Sequence, residues 1–100
     1  MPPEVEREAV QLAEKSWPVS LALALYYTRA ENASLADGMA NQFARLAAEE
    51  LDRGRLAHYR DDVESAIMRI ARVCGPETSG RLVVVLAEQF PVEPHLSPLP

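Results

Sequence analysis

The chain has 100 residues, 48% of them hydrophobic and 25% charged, which suffices for one compact domain and not for two. A formal net charge of −5 excludes a strongly basic nucleic-acid coat, and a single cysteine excludes an internal disulfide or a multi-cysteine zinc site. No apolar run approaches the roughly 20 residues that a helical membrane span needs.

Of the eight prolines, only Pro18 and Pro76 interrupt the body of the chain, and there are only four glycines. Few, long elements are therefore expected. The opening Met-Pro-Pro-Glu has neither the basic region nor the apolar core of a signal peptide, and the lone cysteine suits a reducing compartment. Both features lead to the expectation of a cytoplasmic protein.

Residues 3–16 are expected to form the first helix. Pro3 suits a first turn, and Glu4, Glu6 and Glu8 lie toward the positive end of the helix dipole. Val5, Ala9, Leu12, Ala13 and Ser16 recur at helical spacing and form its expected buried stripe. Trp17-Pro18 reads as a break, because a residue before proline avoids the helical region. A second helix is expected over 18–30. From Val19 through Leu21–Leu25 to Tyr26 and Tyr27 it has almost no polar face, so it is expected at the centre of a bundle as a buried core helix; the alternative is a helix with one face in its own core and another against a second chain.

Asn32-Ala33-Ser34 marks the next break. Ser34 with Asp37 three residues on resembles a capping box, and the third helix is expected over 35–53. Its expected buried stripe is Leu35, Met39, Phe43, Leu46, Ala47 and Leu51, and Gly54 ends it. The fourth helix ends at Val73-Cys74, before Gly75-Pro76. It starts either at Arg55 or at Asp61 acting as a cap, and a single helix over 55–74 is the reading adopted. Tyr59, Val63, Ala66, Ile67, Ile70, Ala71 and Cys74 share its apolar face.

Residues 78–90 pose a choice. Leu82-Val83-Val84-Val85-Leu86 is a β-branched run that suits a strand. Leu82, Leu86 and Phe90, with Val83 and Ala87, also fit helical spacing, Thr78 or Ser79 offers a cap, and nothing else in the chain offers a strand to pair with. A helix is expected, closing the bundle or reaching across a dimer. The proline-rich residues 91–100 read as an extended, polyproline-like tail. The expected fold class is all-α: a compact bundle of four to five helices, one helical domain over 1–90, and an extended Pro-rich C-terminal tail over 91–100.

Signals for chemistry are sparse. His58 stands near Asp61, Asp62 and Glu64, and Glu49, Glu50 and Asp52 end the preceding helix; imidazole with carboxylates suits a divalent cation. The Glu-x-x-His spacing of di-iron bundles is absent, and these acids fall on polar helix faces, so no metal is expected. Cys74 lies on an apolar stripe at a helix C-terminus, whose negative dipole end disfavours a thiolate; it reads as a core cysteine. No serine has a Gly-x-Ser-x-Gly setting and no glycine-rich phosphate loop is present, so no catalytic residue, cofactor or small-molecule substrate is expected.

Binding is the remaining class. The acidic clusters Glu4/Glu6/Glu8, Glu49/Glu50/Asp52 and Asp61/Asp62/Glu64 suit the basic face of a partner protein, for instance a nucleic-acid-binding one. Tyr26 and Tyr27 point about 100° apart on a helix, so one of them, or Trp17, is expected to reach a surface. The expected function is that of a regulator, inhibitor or small subunit of a complex, with Trp17, Tyr26, Tyr27, Glu49, Glu50, Asp52, Asp61 and Asp62 as its interaction residues. The alternative is an accessory nucleic-acid-binding protein using an arginine row, Arg60, Arg69 and Arg72, on the fourth helix. A metal-binding or enzymatic bundle ranks third. The high apolar fraction favours a homodimer.

Overall fold

The computed structural model describes residues 1–49 and 58–89. Among them are five α-helices and no strand: α1 (Pro3–Ala13), α2 (Trp17–Arg29), α3 (Ala33–Glu49), α4 (Arg60–Ala71) and α5 (Pro76–Gln89). The fold is an all-α bundle, and the β-branched run of 82–86 is helical. None of these helices is long and apolar enough to cross a membrane. Glu50, Leu51, Asp52, Gly54 and Arg55, together with Phe90 and the tail 91–100, lie outside the described residues.

The joints between helices differ from the sequence expectation in instructive ways. The first break falls at Ser16, not at Trp17-Pro18: Ser16 is extended (φ −130°, ψ 113°), and its hydroxyl accepts the Val19 N–H at 3.4 Å, so α2 starts with Trp17. The Ser34–Asp37 capping box is not made. Asn32 caps α3 instead, its Oδ1 accepting the Leu35 N–H at 3.1 Å, while Asp37 Oδ1 accepts the Gly75 N–H at 3.0 Å across the bundle. The α2–α3 joint is a Schellman turn, with Glu31 N–H on the Thr28 carbonyl and Asn32 N–H on the Tyr27 carbonyl. Glu31 takes the left-handed conformation (φ 61°) that usually falls to glycine.

The single helix expected over 55–74 is interrupted. Tyr59 (φ −105°, ψ 25°) stands before α4 as its N-cap position, so Asp61 lies inside the helix and does not cap it, while the alternative start at Arg55 lies outside the described residues. Neither Thr78 nor Ser79 caps α5, which begins at Pro76.

Two serines solve the same problem at two joints. The last carbonyls of a helix have no partner within it. Ser20 Oγ donates to the Ala13 carbonyl of α1 at 2.6 Å, and Ser79 Oγ donates to the Ala71 carbonyl of α4 at 3.0 Å. Each serine is the fourth residue of the helix that follows, so each helix end is tied to its successor.

Two buried clusters result. The larger holds Trp17, Phe43, Val63, Ile67, Ile70, Leu82 and Val85 and joins α2, α3, α4 and α5. The smaller holds Ala13, Leu23, Tyr27 and Ala36 and joins α1 to α2 and α3. The stretch Val19–Tyr27 is indeed interior on most sides, although Ala22 and Tyr26 are exposed. It does not occupy the centre alone: the α3 backbone runs close to all four other helices, whereas that of α2 runs close to α1, α3 and α4.

Two expected stripes are rotated. On α1, Val5 and Leu12 are 51% and 62% exposed, and Ala9, Val10 and Ala13 pack inward, the rotation being fixed by Ser20 on Ala13 and by Tyr27 on Glu6. On α3 the innermost residues are Ala36, Ala40, Phe43, Ala44 and Ala47; Leu35 is exposed, and Met39 and Leu46 are only partly buried. Small side chains let the α2 and α3 backbones approach, so alanines take the contact and the leucines flank it. On α4 the expected face is inward at Val63, Ala66, Ile67 and Ile70, but Tyr59 is exposed. On α5, Thr78, Leu82 and Val85 point in, while Val83 and Ala87, expected on the inner face, are exposed.

Candidate docking grooves

Aromatic residues place the first candidate surface. The Trp17 indole is buried edge-on against Phe43, with ring centroids 6.2 Å apart. This seats the start of α2 on α3, and an apolar groove of about 300 Å³ lies between α2 and α4. Leu21, Leu25, Val63 and Ala66 line it, exposed Ala22 forms one lip, and Tyr59 and Asp62 form the other. Asp61 is exposed next to Asp62. The Trp17 Nε1–H is buried beside this groove with no hydrogen-bond acceptor among the described residues.

The expected interaction residues are not all brought together. Trp17 and Asp62 share this groove, with Asp61 beside it. Trp17 contributes a buried wall, not the surface anchor anticipated. Tyr26 and Tyr27 belong to the α1 side of the molecule, stacked edge-to-face at 5.3 Å. As the helical angle required, one of the pair reaches the surface: Tyr26 is 38% exposed, and its hydroxyl accepts the N-terminal amine at 3.4 Å. Tyr27 is buried within the fold. Its hydroxyl donates to Glu6 Oε2 at 2.6 Å, and burial, reinforced by that bond and by the Glu6 charge, pushes its pKa up to about 12. Glu49 is exposed at the end of α3, and Glu50 and Asp52 lie outside the described residues.

The arginine row is split. Arg60 Nε is paired with Glu64 Oε1 at 2.8 Å along α4, whereas Arg69 and Arg72 are exposed near the other end of that helix. Among the described residues no group of three His, Cys, Asp or Glu side chains is placed to hold a metal ion; the His58 ring instead meets the Tyr59 ring edge-on at 4.8 Å. Cys74 packs partly buried against the larger core, and burial, aided by the Asp37 carboxylate, pushes its thiol up to about 11.

A second groove carries none of the interaction residues expected from the sequence. It runs between α3 and α5 and measures about 680 Å³. Ala44, Ala48, Gly80, Val84 and Val85 line it, and Arg45, Arg81, Glu77 and Glu88 surround it. Arg81 hydrogen-bonds Asn41 across the groove and pairs with Glu77 at 2.8 Å along α5. The available sequence signal was small residues four apart on two helices, Ala44/Ala48 and Gly80 before Val84.

No protein-family model matches the chain, and neither a curated protein nor a solved structure matches it.

Proposed function

We infer that this is a non-enzymatic, small acidic helical protein that acts by binding another protein at the α2–α4 groove, as a regulator, inhibitor or small subunit. The observation that carries the reading is an apolar trough with an acidic lip: Leu21, Leu25, Val63 and Ala66 inside, Asp62 and the neighbouring Asp61 at the edge. Its complement is an amphipathic helix whose apolar row enters the trough and whose lysines or arginines meet the two carboxylates. The nucleophiles support a non-catalytic role. Ser20 and Ser79 donate their hydroxyl hydrogens to helix-end carbonyls, and the Cys74 thiol is held protonated. The lone reduced cysteine accords with work in the cytoplasm.

The test is capture from nuclease-treated host extract by the wild-type chain and by Ala22→Arg, which fills the trough from an exposed position. A protein retained by the former and lost by the latter, cross-linking from position 59 through a basic amphipathic segment, is the expected result. Identical capture by both chains, or a cross-link to an acidic segment, overturns the reading. Exposed Arg69 in the last turn of α4 and Arg72 at its C-cap, three residues apart, favour nucleic acid as a second reading. It requires a salt-sensitive gel shift that Arg69→Glu with Arg72→Glu abolishes.

A further inference from the structure

The helix α5 has apolar residues on two sides. Leu82 and Val85 are in the core, while Val83 and Val84 are 61% and 51% exposed. A helix that is apolar on both sides has a second face to bury. Beside Val84 lies the α3–α5 groove, and its floor is made of the smallest side chains available. A Cβ added at Gly80 would meet nothing within 4 Å, so a bulky side chain from outside has room there.

The charges around this groove are balanced, unlike those of the chain as a whole. Arg45 and Arg81 face the same groove as Glu77 and Glu88. An acidic or a basic partner would find as much repulsion as attraction on such a rim, whereas a rim of both signs can complement itself.

We propose that the α3–α5 groove is a self-association surface, where two copies of this chain meet with their α5 helices antiparallel about a two-fold axis at Val84. The axis makes the contact isologous: Val84 of each copy enters the small-residue groove of the other. Arg81 lies three residues before Val84 and Glu88 four residues after it, so antiparallel helices bring Arg81 of one copy to Glu88 of the other, twice. The surface is separate from the α2–α4 groove, since the two share no lining residue. The proposal therefore stands or falls independently of the function inferred above.

Sedimentation velocity on the full chain over a concentration series up to about 1 mM is the test. The wild type is expected to shift from monomer to dimer, and Val84→Glu is expected to raise the dimer Kd at least about tenfold with an unchanged helical spectrum. Ala48→Glu, at another exposed position in the groove, is to act in the same way, so the result does not depend on one variant folding. Arg81→Glu is expected to weaken the dimer, and adding Glu88→Arg to restore it. A wild type that stays monomeric throughout overturns the proposal. So does a dimer indifferent to both Val84→Glu and Ala48→Glu, or a double charge reversal no tighter than Arg81→Glu alone.

Discussion

Helix α1 and the four-helix body α2–α5 are held by different physics. The body is closed by volume: Phe43, Val63, Ile67, Ile70 and Leu82 are all essentially inaccessible, and with Trp17 they join four helices in one cluster. By contrast, α1 contributes one fully buried side chain, Ala13, and is fastened by the hydrogen bonds Ser20–Ala13 and Tyr27–Glu6. Burial of apolar area is worth about 25 cal/mol per Å², so an alanine and two half-buried residues give α1 little hydrophobic attachment. It follows that α1 is the element that opens first, at a free energy below that of global unfolding.

The largest expected effect tests the body. Phe43→Ala removes the ring that the Trp17 indole meets edge-on, and the cost is about 3–5 kcal/mol in urea unfolding. Helical and Trp17 signals should fall together, because the core that holds α2 to α4 is lost as one unit. Separate transitions for the two probes would show that the body is not the cooperative unit described here. Next in size is Ser20→Ala, which strips the Ala13 carbonyl of its buried donor at a cost of about 1–2 kcal/mol. Amide exchange should accelerate over Pro3–Ala13 well before it does over Arg60–Ala71. Uniform acceleration across both helices would abolish the distinction between the regions.

The same contrast explains what could be read from the sequence. The helical class and much of the body core were legible, because Val63, Ile67 and Ile70 are large, apolar and spaced at four and three, and Leu82 stood on the expected stripe of α5. Where alanine makes the contact, the pattern misled. Val5 and Leu12 on α1, and Leu35 on α3, have the hydrophobicity but not the position, since close helix contacts select small residues. The joints were obscured for a related reason: Glu31 does a glycine's work, and Asn32, not Ser34, supplies the cap. Of the candidate site, Trp17 and Asp62 were visible as residue types. The α3–α5 groove was not, because it is formed by side chains too small to register in a hydrophobic pattern.

Alkaline pH sharpens the comparison further. The Tyr27 pKa rises from 10.0 to about 12 on folding and that of Cys74 from 9.0 to about 11. Both groups are raised, so both prefer to stay protonated in the native state. Their contribution is whole below the unfolded values and is lost as pH climbs through the folded ones. Stability should therefore decline between about pH 9 and 12, with the upper part of that window belonging to the α1 side. Tyr27→Phe costs about 1 kcal/mol at neutral pH through the lost bond to Glu6, and it removes the upper part of the alkaline decline. An unaltered alkaline profile in Tyr27→Phe would detach that titration from α1.

The smallest effect is a gain at the joint both regions share. Glu31 is left-handed at φ 61°, where a Cβ costs about 1–2 kcal/mol. Glycine relieves that strain but has more freedom to lose on folding, by roughly 0.5–1 kcal/mol. Glu31→Gly should thus stabilise by about 0.5 kcal/mol, a rise of roughly 2–4 °C in melting temperature. The turn joins α2 to α3, which pack both on α1 and on the rest of the body, so global unfolding should become harder while opening of α1 alone does not. Global unfolding must undo the turn and gains the full increment. Opening of α1 alone leaves α2 and α3 in place, so its amide protection should not move. A rise in α1 protection equal to the global gain would mean that α1 leaves only when the whole molecule does.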